Sequence, residues 1–66
     1  MTYDEFMDKI MRLVRKNGNA VDVRFRFDEE KVRYFADCSD GCTIIAHPSS
    51  CKVTIRYRGR KFMAEI

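Results

Sequence analysis

Two spacings of hydrophobic residues divide the chain. Between residues 3 and 17, Tyr3, Phe6, Met7, Ile10, Leu13 and Val14 recur at three- and four-residue steps, which puts them on one face of a helix. Thr2 followed by Glu5 fits a capping box, with the hydroxyl and the carboxylate each satisfying a free amide of the first turn. Asp4, Glu5 and Asp8 lie near the positive end of the helix dipole, and Arg12, Arg15 and Lys16 near the negative end. Asn17-Gly18 tolerates left-handed dihedrals and supplies the stop.

From Ala20 the period changes to two. Apolar positions alternate with polar ones through Val21, Val23, Phe25 and Phe27, then Val32, Tyr34 and Ala36, then Cys42, Ile44 and Ala46. The alternation continues through Cys51, Val53, Ile55 and Tyr57 and ends with Phe62, Ala64 and Ile66. This predicts strands near 20–27, 31–38, 42–47, 51–58 and 60–66, separated by turn chemistry at Asp28-Glu29-Glu30, Ser39-Asp40-Gly41, Pro48 and Arg58-Gly59. Connections this short force antiparallel neighbours. The expected fold is α+β, one domain over residues 1–66, with an N-terminal helix packed on one face of a five-stranded antiparallel meander.

The turns also predict a register. Phe27 opposite Val32 sets Arg26 against Arg33 and Arg24 against Phe35. A loop at 39–41 sets Phe35 against Ile45 and Tyr34 against Ala46. The next turn sets Ile44 against Val53, and the last sets Ile55 against Phe62 and Lys52 against Glu65. Each hairpin then keeps its apolar residues on one face, as a buried face requires.

The opposite face carries Arg24, Arg26, Arg33, Phe35, Thr43, Ile45, Lys52, Thr54, Arg56, Arg58, Lys61, Met63 and Glu65. Arginine directly opposite arginine weakens a sheet, so a chain that keeps such a pair presents an anion site or merely a solvated surface. Aromatic residues flanked by arginines let single-stranded nucleic acid stack bases while phosphates meet the cations. Candidate binding residues are Arg24, Arg26, Arg33, Phe35, Lys52, Arg56, Arg58, Arg60 and Lys61, and the partner is nucleic acid or a nucleic-acid-handling complex. The rival is a protein-targeting inhibitor or small accessory factor of the kind phages carry, or a homodimer, with Phe35, Ile45 and Met63 as the apolar centre of the interface.

Composition narrows these readings. In 66 residues there is one small domain at most, and its eight aromatics suffice for a core, which excludes disorder. The net charge of +3 is unevenly spread: Lys52, Arg56, Arg58, Arg60 and Lys61 fall within residues 51–61, a stretch without any acid. No segment has the length of a membrane span or the layout of a signal peptide, so a cytoplasmic protein is expected. One histidine, acids mostly at helix and turn positions, and glycines that all belong to turns provide no catalytic constellation. A chain this size also has little room for a pocket of the usual ~300 Å³ or more. The protein is expected to be a non-enzyme without a cofactor.

Cys38, Cys42, His47 and Cys51 form C-x3-C-x4-H-x3-C, which resembles the zinc-knuckle pattern C-x2-C-x4-H-x4-C, with two inner spacings displaced by one. The resemblance implies a metal held by these four residues. The strand reading opposes it, because an extended 42–47 holds Cys42 and His47 roughly 16 Å apart, and ligands of one zinc lie within about 4 Å of one another. The expectation is therefore no metal and reduced thiols. Cys38 and Cys42 would face each other across the hairpin at disulfide distance, which leaves a redox role open.

Overall fold

Thr2 and Glu5 start the helix as their spacing requires. The Glu5 amide donates to Thr2 Oγ1 at 3.1 Å, and the Thr2 amide donates to Glu5 Oε1 at 3.2 Å. These bonds from Thr2, backbone first, hold the Glu5 carboxyl below its ordinary range. The structure, a computed structural model, describes residues 1–16 and 22–66. The expected stop at Asn17-Gly18 and the expected strand residues Ala20 and Val21 lie outside them.

Helix α1 spans Tyr3–Lys16, followed by β1 Val23–Asp28, β2 Arg33–Cys38, β3 Thr43–Ala46, β4 Lys52–Tyr57 and β5 Arg60–Glu65. The strands form one antiparallel sheet in the order β1-β2-β3-β4-β5, with the helix against one face. This is the α+β meander that the hydrophobic spacing predicts. No helix among the described residues is long and apolar enough to cross a membrane.

Two hairpins have the expected register. Tyr34 lies opposite Ala46 and Phe35 opposite Ile45, closed by a loop in which Gly41 has φ 88° and Asp40 Oδ1 accepts from the Cys42 amide at 3.0 Å. Ile55 lies opposite Phe62 and Lys52 opposite Glu65, joined by Arg58 (φ 50°) and Gly59 (φ 77°). Two positive φ values in a two-residue loop match the twist of the flanking strands. Only Gly59 adopts its value freely; an arginine there is strained.

The other two hairpins correct the expectation by two residues each. Phe27 pairs with Tyr34, not Val32, so Arg26 faces Phe35 and Arg24 faces Asp37. The cause is Asp28, whose Oδ1 accepts from the amides of Glu30 (3.1 Å) and Lys31 (3.2 Å) and extends the turn. Val32 leaves the ladder at φ 51° and is half exposed. Likewise Ile44 pairs with Ile55 and Ala46 with Val53, because the turn runs to Ser50, whose amide donates to the His47 carbonyl at 3.1 Å. A shift of two preserves which face each side chain occupies. The expected faces therefore stand, although the opposed arginines do not.

Phe6 and Ile10 from the helix are fully buried with Tyr34, Ala36, Ile44, Ala46 and Val53 from the sheet. Alanines at the two central positions leave room for the helix to approach. The helix lies over β1 and β2, where Phe6 meets Phe25 edge-on at 6.0 Å and Tyr34 at 5.6 Å. That placement leaves the start of β5 uncovered, where Phe62 is 49% exposed, while Ala64 packs against the core.

Candidate functional site

On the face away from the helix, the register draws two rows across all five strands. One reads Arg26, Phe35, Ile45, Thr54, Met63, and its neighbour reads Arg24, Asp37, Thr43, Arg56, Lys61. These rows split the expected site into halves with different electrostatics.

The β1–β2 half is compensated. Arg26 Nε lies 3.6 Å from Asp37 Oδ2, and its guanidinium carbon sits 4.1 Å from the centre of the Phe35 ring. Thr43 Oγ1 donates to the other Asp37 oxygen at 3.3 Å. Phe35 is thus already covered by a cation, and Arg24 faces a carboxylate. Sequence reasoning passed over Asp37, although it has the same parity as Arg33 and Phe35 and alternation alone puts it on this face.

The β4–β5 half is compensated only at its end, where Lys52 faces Glu65. A hollow of about 290 Å³ is lined by Arg33, His47, Lys52, Arg56 and Lys61 around Ile45 and Met63, with Ser50 and Thr54. A second hollow of about 410 Å³ is lined by Arg56, Arg58, Arg60 and Lys61 with Gly41, Thr43 and Gly59. The two share Arg56 and Lys61, and neither is lined by a carboxylate. Both are open to solvent, but the larger exceeds the volume expected of so small a chain. Arg33 Nε is buried without a hydrogen-bond acceptor. Among the described residues, the ion pairs are Arg12–Asp8 and Arg26–Asp37, and neither involves a cation that lines the hollows. Of the expected binding residues, Arg33, Lys52, Arg56, Arg58, Arg60 and Lys61 come together here, whereas Arg24, Arg26 and Phe35 stand apart. Met63 joins Ile45 in the hollow, but Thr54 lies between them in the row, so the expected apolar patch is broken.

The cysteine–histidine string is split by the fold. His47 lies past the end of β3, on the face with Ile45, and Cys51 is exposed in the following turn. What converges is a three-donor corner, with one ligand atom each from Cys38, Asp40 and Cys42 lying within 4.8 Å of one another. All three cysteines are free thiols. Burial, followed by the nearby Cys42 and Asp40, pushes the Cys38 thiol up to about 11. Burial and then Asp40 raise Cys42 as well.

Iodoacetamide at pH 8 should therefore modify exposed Cys51 first and Cys38 last. The Cys38 rate should climb about tenfold per pH unit toward pH 11, because the thiolate is the nucleophile. Peptide mapping that finds Cys38 as reactive as Cys51 at pH 8 would contradict this. The folded thiol keeps its proton above the ordinary value of 9.0 while the unfolded one loses it. Its contribution thus lowers stability as pH rises from about 9 to about 11.

No family model, curated protein or solved structure matches the chain.

Proposed function

We propose that this chain is a non-catalytic binding module whose outer sheet face, centred on β4 and β5, contacts the phosphates of a nucleic acid or of a nucleic-acid-handling complex. The observation that carries the reading is the pair of adjoining hollows lined by cations with no carboxylate among them. Arg58 adds to it. An arginine at φ 50° occupies a turn position better suited to asparagine or glycine, so the turn itself does not account for the residue. With Phe35 capped by Arg26, phosphate contacts outweigh base stacking, and binding is expected to tolerate many sequences.

A second reading is favoured by Met63, which is 71% exposed beside Ile45 in the smaller hollow. In that reading the partner is a protein, and the cations form the rim of an apolar contact.

Salt separates the two. Labelled single- and double-stranded oligonucleotides are titrated at 50 and 200 mM salt with fluorescence anisotropy as readout. Four phosphate contacts would weaken binding roughly fiftyfold for a single strand and 150-fold for a duplex between those conditions, through counterion release. Absence of binding at low salt ends the nucleic-acid reading. Binding that salt leaves unchanged also ends it, and favours an apolar protein contact.

A further inference from the structure

We infer that β5 is a self-pairing edge, through which two copies of this chain join antiparallel about a twofold axis at Met63. The pairing does not require any ligand on the outer face, although Lys61 and Met63 also line the hollows there.

Backbone polarity along β5 is fixed by its neighbour. The Ile66 amide donates to the Cys51 carbonyl at 3.1 Å, in step with the Lys52–Glu65 register. In an antiparallel ladder alternate residues face the partner, so Arg60, Phe62, Ala64 and Ile66 turn their backbone groups toward β4. Lys61, Met63 and Glu65 then turn theirs outward along the sheet edge, where an open row of donors and acceptors is a template for another strand.

The side chains select the occupant and the register. If Met63 lies opposite Met63 of the second copy, Lys61 faces Glu65 of the second copy, and symmetry makes that pair twice. The three outward-facing positions are then the ones that meet across the axis, each facing pair exchanging two hydrogen bonds. On the helix side, Phe62 lies opposite Ala64 of the second copy, which covers part of a ring now 49% exposed. Centring instead on Phe62 sets Lys61 against Met63, and centring on Ala64 sets Met63 against Glu65. Neither makes an opposite-charge pair.

The other edge is unsuited to the same operation. The Ser39 amide donates to the Asp22 carbonyl at 2.8 Å, so Val23, Phe25 and Phe27 carry the outward groups of β1. Pairing over its full length, about Phe25, sets Arg24 against Arg26 twice, a repulsive arrangement, and the registers about Val23 and Phe27, which set Arg24 against Asp22 and Arg26 against Asp28, overlap only the ends of the strand. Joining β1 to β5 is head-to-tail and does not close. Self-pairing through β5 closes as a dimer and sets the two outer faces side by side.

One six-residue strand is a small interface, so the expected state is a concentration-dependent equilibrium, not an obligate dimer. Sedimentation equilibrium from about 10 µM to 1 mM should show it, in the range where weak pairs dissociate. K61E and E65K should each raise the dissociation constant about tenfold by replacing two attractive pairs with two repulsive ones. The double variant K61E/E65K should return it to within a few-fold of the wild type. M63P should abolish pairing while leaving the circular dichroism unchanged, because the Met63 amide serves only the edge. A monomer at every concentration would overturn the inference, as would a double variant no better than the single ones. A dimer that folded M63P still forms would place the interface elsewhere, with the same consequence. No nucleic acid enters the experiment, so its failure leaves the reading of the basic face untouched.

Discussion

Replacing Phe6 with alanine should leave most of the chain unfolded at room temperature. Phe6 is fully buried between the helix and the sheet, and its ring touches the aromatic cluster of Phe25 and Tyr34. Truncating a buried phenylalanine costs about 3–5 kcal/mol, the lost transfer energy plus a cavity that neighbours fill only in part. A domain of 66 residues with a single core rarely has more than roughly 3–5 kcal/mol of stability to lose. The surrounding residues also collapse poorly, since Ala36 and Ala46 carry only a methyl group that cannot extend into the gap. Phe62→Ala makes the comparison, because that ring is 49% exposed and its loss should cost about 1 kcal/mol or less. Thermal melts followed by circular dichroism at micromolar concentration should show no cooperative transition for Phe6→Ala and a drop of a few degrees for Phe62→Ala. Equal effects would mean that the helix does not dock on the sheet through Phe6.

That contrast also marks what the sequence makes legible. Both phenylalanines occupy apolar positions of regular patterns, and periodicity assigns each to the helix–sheet interface. Periodicity does not say that a helix of 14 residues covers β1 and β2 and leaves Phe62 on β5 half exposed. Coverage depends on the direction in which the helix crosses the sheet, which no local spacing encodes.

Registers divide in the same way. The loops at Ser39-Asp40-Gly41 and Arg58-Gly59 are short and closed by glycines at positive φ, so their length fixes the pairing. The turns after Asp28 and Ala46 instead take their length from side chains that bond the backbone. Asp28 gathers two amides, and Ser50 Oγ accepts from the Lys52 amide at 3.0 Å. These competing hydrogen bonds displace each ladder by two residues, an error invisible to alternation because the faces stay the same. The consequence falls on the site. An expected clash between Arg26 and Arg33 becomes a stacked and salt-bridged Arg26, and the uncompensated charge moves to β4 and β5.

The move of charge leads to the second large effect. If the hollows on β4 and β5 hold phosphates, changing Arg33, Lys52, Arg56 and Lys61 together to alanine should lower the slope of log affinity against log salt by roughly three. At low salt the affinity should fall about a hundredfold or more, since all four counterion-releasing contacts are lost. Lys52, Arg56 and Lys61 are exposed and Arg33 is half-buried, so the melting temperature should move by only a few degrees. Changing Arg24 and Arg26 to alanine should weaken binding only a few-fold, because Arg26 is already engaged by Asp37 and Phe35. Asp37→Asn should act in the opposite direction. It removes the carboxylate that neutralises Arg26, keeps an acceptor for Thr43, and should tighten binding a few-fold. Anisotropy titrations of the three variants at two salt concentrations give all of these values. A larger loss from the Arg24 and Arg26 changes than from the four on β2, β4 and β5 would return the site to the first hairpin. In that case the stacked Arg26–Phe35 pair, and not the open basic hollows, would be what the partner meets.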